Sequence, residues 1–289
     1  MSFSPDLIGD VLAMWRYPFM AHAFEVGTLI AIVAGAVGYL VLLRRSAFAA
    51  HALAHTGFAG AAGAVLVGVD PVFGLLLFTS VSGTGIAVLG QRAAQRDMEI
   101  GTVLAFMLGL GLLFINLYRG GGATATYSIL FGQILGIGDQ AVLVTLVAFL
   151  ILVAVLALTY RPLLFAALDE DVAEAKGLSP LRLGILFMLL VAAAVSMAVQ
   201  VVGVLLVFSL MVTPAAIALR LAQRPRYALA ISVGVALGAT WLGLFIAWYE
   251  PYPVSFLITS LVFGLYAVVR AVQWVGSRSM APAVPLPAD

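Results

Sequence analysis

The sequence predicts an all-α, polytopic integral membrane protein, and three of its features support this fold class. The chain has 289 residues, of which 64% are hydrophobic and only 9% are charged, and its mean hydropathy is +1.16. A soluble domain carries about 25% charged residues, so this chain has too few polar groups to cover a surface in water. Several apolar runs also reach the roughly 20 residues with which an α-helix crosses about 30 Å of hydrocarbon.

Eight or nine of these apolar runs are candidate membrane spans. The stretch from 182 to 221 has no clear break near Gln200 and Val201, which leaves the number open between eight and nine. The candidate spans lie near residues 20–43, 47–69, 71–90, 99–118, 140–160, 182–200, 201–221, 227–249 and 254–275.

Basic residues predict the orientation of these spans. With nine spans, most arginines and the single lysine fall on one side, whereas only Arg16 and Arg119 fall on the other. Because basic loops stay in the cytoplasm, we expect a multi-pass protein of the inner (plasma) membrane, with its N-terminus outside and its C-terminus cytoplasmic. The expected organisation is an outer amphipathic segment over 1–18, one transmembrane domain over 19–275 and a cytoplasmic tail over 276–289.

Composition and missing motifs exclude several classes of function. A net charge of +1 provides no basic surface for nucleic acid, and the absence of cysteine excludes thiolate metal sites and cysteine nucleophiles. The only lysine, Lys176, is not part of a G-x-x-x-x-G-K-[ST] loop that would hold the phosphates of ATP. We therefore expect no catalytic residues and no permanently bound cofactor. The energy for any transport comes from a gradient or from a partner protein.

Two histidines, His51 and His55, lie four residues apart, so on a helix both imidazoles share one face. Neutral imidazole is a common ligand of Zn²⁺ and related cations, and ionisable groups at membrane depth mark pathways or binding sites. We expect this pair to bind a divalent cation; the alternative is a pair of hydrogen-bonded structural histidines. The many alanines and glycines nearby predict a helix that packs closely or lines a pore.

Three further features are candidates for function. His22 and Glu25, three residues apart at the outer end of the first span, form a second pair that could receive a cation, or an interfacial hydrogen-bonded pair. Pro214 interrupts an apolar helix and frees a backbone carbonyl, which makes it a candidate hinge. The segment 128–135, which follows glycines 120–122, is too short to span and predicts a re-entrant or outer interfacial segment.

The segment 168–178 predicts a short cytoplasmic helix. Asp171 and Glu174 fit a capping box at its start, while Gly177 and the following Pro180 fit its end. A capped helix of this kind, between two spans, either docks a soluble partner or is an ordinary connection, and these residues leave both possibilities open.

Four segments together resemble the permeases of zinc/manganese/iron-type ABC importers. Arg44 through His55 resembles the family's stretch R-R-x-S-x-x-x-D-A-x-S-H, and Tyr127 through Leu135 resembles its Y-L-F-G-x-I-L segment. Residues 169–177 resemble its D-x-x-x-A-x-x-x-G coupling segment, and Gly203 through Ala216 resembles its G-x-L-L-x-x-x-L-x-x-P-A-A signature. The likeness covers about residues 19–275, with the four segments in the family's order.

The resemblance implies the fold of a type II ABC importer permease and the function of its membrane subunit, which imports a divalent metal by alternating access. It also implies a homodimer of permeases, a cytoplasmic ABC ATPase that hydrolyses the ATP, and an extracytoplasmic metal-binding protein that delivers the ion. The ATPase would dock on the 168–178 helix. The coupling residues implied there are Asp169, Asp171, Glu174, Lys176 and Gly177.

The resemblance also bears on the cargo. His55 falls on the family's histidine position, whereas His51 falls where the family usually has aspartate. Because imidazole in place of carboxylate favours Zn²⁺ over Mn²⁺, zinc is the expected cargo, with manganese or iron as alternatives. A metal chelate as cargo, or a stand-alone secondary transporter or channel, are the remaining hypotheses.

Overall fold

The computed structural model describes residues 14–89, 93–118, 132, 134–250 and 252–279. Within these residues all regular structure is helical, and a single 3₁₀ turn spans Ile134–Gly136. The α-helices, in chain order, are α1 Pro18–Leu43, α2 Ala47–Leu66, α3 Pro71–Leu89, α4 Ala93–Leu117, α5 Asp139–Leu168, α6 Glu170–Ala175, α7 Pro180–Val202, α8 Val204–Leu221, α9 Pro225–Tyr249 and α10 Val254–Ser279.

This architecture confirms the predicted all-α membrane fold. By length and composition, seven helices of the described residues can cross a bilayer: α1, α3, α4, α5, α7, α9 and α10. The two other predicted spans correspond to α2 and α8. Helix α2 is less apolar than the seven because alanine, glycine and two histidines fill most of its 20 positions.

Two boundaries differ from the prediction. Helix α5 does not end near residue 160 but continues through Pro162 to Leu168, because a proline removes only one backbone donor and a long apolar helix tolerates that loss. The stretch that showed no break in sequence is divided at Gly203, whose φ of 81° and ψ of 160° separate α7 from α8. Only glycine adopts this backbone conformation readily.

Helices α1 and α2 form the centre of the bundle. Most residues of both are buried, including large side chains such as Tyr39, Leu40 and Leu53. Helices α4, α5 and α10 instead expose many large apolar side chains, as expected for surfaces in contact with lipid. The two histidines of α2 therefore lie on a helix that packs against protein rather than lipid.

The close packing of α2 depends on glycine. Gly60 of α2 lies against Gly74 of α3, and a Cβ atom on either glycine would collide with the backbone carbonyl group of the other. Interfaces of small residues let helix backbones approach in this way in membranes. The small residues of α2 are thus explained by its contact with α3.

Candidate metal path and coupling surface

His51 and His55 meet on one face of α2, as their spacing predicts. Their ring centroids are 4.7 Å apart with the ring planes at 83°. The ring of Phe208, from α8, covers His51 with a centroid distance of 4.8 Å. Both histidines are half-buried, and their neighbours Ala52, Leu53 and Ala54 are fully buried.

The Nδ1 atom of His51 is buried and has no hydrogen-bond partner among the described residues. A buried polar atom without a partner costs about 1–3 kcal/mol, so native proteins rarely leave one in place without a use. The other buried side-chain atoms of the described residues that lack a partner are Ser82 Oγ, Glu99 Oε2 and Tyr160 OH.

The two histidines alone do not complete a metal site. The described part of the chain contains no group of three or more His, Cys, Asp or Glu side chains that could hold a metal ion. A structural zinc site usually has four protein ligands. The described residues of one chain therefore offer an ion at most an incomplete, open coordination shell at this pair.

Hydrogen bonds fix the helices around α2. The Thr79 hydroxyl of α3 donates to Leu75 O at 2.7 Å, and the Ser196 hydroxyl of α7 lies 2.8 Å from Thr79 Oγ1. Both side chains are buried. Buried hydroxyl pairs of this kind join helices in membranes, and here they tie α3 to α7.

His22, at the start of α1, lies close to α5 rather than pairing with a residue of its own helix. Its Nδ1 lies 3.0 Å from the carbonyl oxygen of Ile137, and its Nε2 lies 3.0 Å from Asp139 Oδ1. Asp139 is almost fully exposed, with 94% of its side chain accessible. Glu25, the expected partner of His22, is also exposed. The structure thus adds Asp139 to the groups near His22.

The predicted re-entrant segment is described only in part, since 119–131 and 133 lie outside the described residues. Ile134, in the 3₁₀ turn, is buried and packs against α1 beside Gly27. Gly132, with a φ of 74°, lies against the backbone of Val201 and Gly203 at the break between α7 and α8. The end of this segment therefore packs among the helices.

The short helix predicted over 168–178 is present as α6, but one detail of its start was wrong. Asp169, not Asp171, is the N-cap: its backbone is extended and its Oδ1 accepts a hydrogen bond of 3.0 Å from Val172 N. Asp171 lies inside the helix, where its carboxylate cannot reach the free amides of the first turn. The Gly177 backbone, at a φ of 80°, ends the helix as predicted.

The surface of α6 is polar and accessible. Asp169, Asp171, Glu174, Lys176 and Gly177 are all exposed. Ala173 is buried, and the Lys176 ammonium lies 4.8 Å from the centroid of the Phe165 ring on α5. The helix is thus anchored to the bundle on one side and presents charged groups on the other.

Pro214 lies inside α8, which continues through it to Leu221. A separate break in the backbone lies at Gly203, between α7 and α8.

Three residues near these sites were not expected from the sequence: Asp139, Phe208 and Arg44. Asp139 follows Gly138 at the first turn of α5, a position where acidic residues favour the helix N-terminus, and this signal was available. The contacts of Phe208 and Arg44 join residues more than 130 positions apart and leave no local pattern.

Comparisons with known proteins agree with the fold. Residues 16–273 match the model of the ABC 3 transport family. The manganese transport system membrane protein MntC of Listeria monocytogenes is 29% identical over 73% of this chain and 75% of its own length. The chelated iron transport system membrane protein YfeC of Yersinia pestis is 30% identical over 83% of this chain and 81% of its own.

A solved structure, PsaBC from Streptococcus pneumoniae in complex with Fab, has the same fold. It superposes with a TM-score of 0.80 and 24% sequence identity, and the match covers 91% of this chain and 95% of the other. The relatives carry the names of membrane proteins of transport systems, in agreement with the expectation that this chain is not itself an enzyme.

Proposed function

Because the chain belongs to the ABC 3 transport family, we propose that it is the membrane-spanning permease of an ATP-driven importer for divalent metal ions, with zinc as its cargo. The observation that carries this proposal is the His51–His55 pair on α2. Its imidazoles are in contact, and the buried Nδ1 of His51 has no hydrogen-bond partner in the part of the chain that the structure describes. A passing cation supplies the partner that the protein does not.

The ion binds His51 and His55 only in transit. Two imidazoles leave at least two positions of a zinc ion open, and a transport site has to bind weakly enough to release its ion. In a homodimer the second copy supplies a second pair, so that four imidazoles or two imidazoles with water complete the shell in turn. A closed four-ligand site within one chain would hold the ion too firmly for transport.

The choice of zinc rests on ligand chemistry. Imidazole suits zinc, whereas carboxylate and water oxygens suit manganese, and both candidate ligands here are imidazoles. Manganese or iron is the second candidate, favoured by the names of the relatives, which specify manganese and chelated iron.

His22 and Asp139, with Glu25 one turn further along α1, form the outer entrance in this proposal. His22 Nδ1–H donates to Ile137 O, and its Nε2 lies 3.0 Å from Asp139 Oδ1. An imidazole nitrogen and a carboxylate oxygen this close together are two atoms that can bind one metal ion. With its carboxylate almost fully exposed, this pair receives a cation from an extracytoplasmic metal-binding protein.

ATP hydrolysis belongs to a partner in this proposal. A cytoplasmic ABC ATPase docks on α6, where Asp169, Asp171, Glu174, Lys176 and Gly177 are exposed. The positive-inside rule places α6 in the cytoplasm and the N-terminus outside. Closure of the ATPase dimer then moves α6 and reorients the helices around the ion, with Pro214 as the hinge of α8.

Uptake of radioactive zinc tests the metal path. Cells that co-express the chain with an ATPase and a binding protein encoded beside it are compared with cells that carry the double variant His51→Ala, His55→Ala. We expect the double variant to lose uptake at normal expression, and unlabelled manganese in excess not to compete in the wild type. Unchanged uptake in the variant would make the histidines structural, and strong competition would make manganese the cargo.

Two variants of α6 test the docking assignment. Gly177→Pro forces φ from 80° to about −65°, and Glu174→Arg reverses an exposed charge. We expect both to abolish metal-stimulated ATP hydrolysis while membrane insertion is kept. Gly177→Asn is the matched control, because asparagine tolerates positive φ. Wild-type coupling in both variants contradicts docking at α6.

An uptake assay in liposomes tests the alternative of a stand-alone transporter. Metal uptake by the purified chain without any ATPase would identify a secondary transporter, whereas dependence on the ATPase and on ATP supports the importer.

A further inference from the structure

We infer that Arg44 is the positioning residue that transmits movement of α6 to the histidine-bearing helix α2. This inference rests on the proposed function and deepens it, because it names the link between the ATPase-docking surface and the metal path.

Arg44 connects two parts of the bundle that are far apart in sequence. It is the C-cap of α1, in the turn that leads into α2. Its Nη1 donates to the carbonyl oxygen of Leu183 in α7 at 3.3 Å. Its guanidinium also lies over the ring of Phe187, 4.8 Å from the centroid. Leu183 and Phe187 are four residues apart, so the guanidinium holds one face of α7.

The connection between α6 and α7 is short and closed by hydrogen bonds. Gly177 N donates to Glu174 O at 2.8 Å and Leu178 N donates to Ala173 O at 3.1 Å, which closes the end of α6. The Ser179 hydroxyl then caps α7 by accepting from Arg182 N. Only four residues therefore separate the end of α6 from the start of α7. A displacement of α6 reaches Leu183 through this connection and one turn of helix.

The turn that joins Arg44 to α2 is also held by hydrogen bonds. In the turn between α1 and α2, Arg45 N donates to Leu42 O at 3.0 Å and Ser46 N donates to Val41 O at 2.9 Å. Arg45 adopts a φ of 52° to make this turn. The buried Ser46 donates its hydroxyl to the carbonyl oxygen of Arg44 at 3.1 Å. The turn thus moves as one unit with the start of α2.

His51 is the fifth residue of α2, so it lies only about 7 Å along the helix axis from Ser46. A shift of the turn moves His51 and His55 relative to Phe208, which belongs to a different helix and covers the His51 ring. The ring contact is where such a shift opens or closes the path.

An arginine is needed at this position because it makes two contacts at once. The planar guanidinium stacks on Phe187 and keeps an N–H group directed at Leu183 O, whereas a lysine ammonium is a compact charge without a plane to stack. Arg45 provides a natural control, since its side chain is exposed although it is adjacent in sequence.

The test uses the permease co-purified with its ATPase in proteoliposomes and compares Arg44→Ala, Arg44→Lys and the control Arg45→Lys. The readouts are metal ions imported per ATP hydrolysed and ATP hydrolysis without metal. We expect Arg44→Ala to lower the ratio of import to hydrolysis by about twofold to thirtyfold, the range of coupling effects along contact networks. Hydrolysis without metal stays at the wild-type rate, Arg44→Lys restores the ratio only in part, and Arg45→Lys retains it.

A wild-type ratio in Arg44→Ala would overturn the inference, and so would equal loss in Arg45→Lys. Should Arg44→Ala fail to assemble, Phe187→Leu removes the stacking partner and keeps an apolar side chain. The inference then requires the same loss of coupling in Phe187→Leu, and a wild-type ratio there overturns it.

The wild-type complex reports on the proposed function separately. Absence of ATP-driven metal import by the wild type contradicts the importer itself, whereas wild-type import with unaffected Arg44 variants contradicts only the transmission by Arg44. Movement can also be observed without cargo, because the chain has no native cysteine. Spin labels at Val67→Cys and Leu181→Cys, both on exposed positions, should change distance on nucleotide trapping in the wild type and change differently in Arg44→Ala.

Discussion

The three histidines of the chain fall into two groups that differ in what their ring nitrogens contact. His22 lies between a backbone carbonyl and a carboxylate, each 3.0 Å away, so both of its nitrogens have neighbours to bind. His51 packs against His55 and Phe208, and its buried Nδ1 has no hydrogen-bond partner among the described residues. Both histidines lie in the same helical bundle, yet among the described residues only His22 has a protein atom within hydrogen-bond distance of each ring nitrogen.

The difference separates two roles for an imidazole in a membrane protein. A partnered histidine at a helix end contributes to structure and meets ions from water, whereas an unpartnered one in the interior carries a cost that binding removes. The second arrangement is the better indication of a transport site. Substitutions at the two positions should therefore differ in kind as well as in size.

The largest expected difference concerns metal affinity. His51→Ala removes an imidazole from an already incomplete shell, so zinc affinity of the purified permease should fall by at least about tenfold. His22→Ala should leave that affinity within about threefold, the size of ordinary surface effects, and slow only the delivery of the ion. Isothermal titration with Zn²⁺ measures both. Equal losses in the two variants would remove the distinction between the groups.

The next largest expected effect concerns the selectivity of the histidine pair between manganese and zinc. His51→Asp replaces a nitrogen ligand with carboxylate oxygen. The ratio of manganese to zinc uptake should rise by about tenfold, since carboxylate suits manganese better than imidazole does. His51→Asn is the control, because it has a similar size without the negative charge. An unchanged ratio in His51→Asp would show that this position does not select the ion.

The membrane spans were predictable because their physical cause is local. A backbone in lipid has to satisfy its own hydrogen bonds, so an apolar run of sufficient length becomes a helix wherever it is placed. The predicted spans 71–90 and 254–275 correspond closely to Pro71–Leu89 and Val254–Ser279. The i, i+4 spacing of His51 and His55 likewise predicted their contact, since helix geometry alone brings the two rings together.

The features that were missed depend on contacts or on backbone conformation. Hydropathy does not detect the break at Gly203, because the residues on both sides are equally apolar and only the φ of one glycine separates the helices. The partner of His22 lies 115 residues away at Ile137, beyond any periodic pattern. The cap of α6 was misplaced by two residues because several carboxylates compete there, and only the extended backbone at Asp169 selects one.

Stability provides a smaller test of the partnered group. His22→Ala removes the hydrogen bond to Ile137 O and should lower the free energy of unfolding in detergent by about 1 kcal/mol. Asp139→Asn removes the carboxylate beside His22 Nε2 and the acidic group in the first turn of α5. These largely exposed interactions contribute about 1 kcal/mol or less and weaken as salt is added. Unfolding curves at low and high salt distinguish the two contributions. Because His22→Ala removes both contacts of the ring, a loss in Asp139→Asn equal to the loss in His22→Ala would show that the Asp139 contact, not the hydrogen bond to Ile137 O, provides the stability.

The smallest expected effect is on stability, and it compares a buried serine hydroxyl that has a partner with one that has none among the described residues. Ser196 pairs with Thr79, so Ser196→Ala should lower the free energy of unfolding by about 0.6 kcal/mol, the average for such bonds in membranes. Ser82 is equally buried but its Oγ lacks a partner among the described residues. Ser82→Ala should therefore leave stability unchanged or raise it slightly, because it removes a buried polar atom without breaking a bond.

Zinc uptake by Ser82→Ala then decides what that hydroxyl does. Uptake at the wild-type rate shows that the Ser82 hydroxyl is a tolerated polar group without a role in transport. An unpartnered group then indicates an ion path only when it is a metal ligand such as imidazole. Reduced uptake in a variant of unchanged stability places the hydroxyl on the path with His51. A loss of stability in Ser82→Ala as large as that in Ser196→Ala contradicts the distinction between partnered and unpartnered groups, because an atom without a partner has no bond to lose.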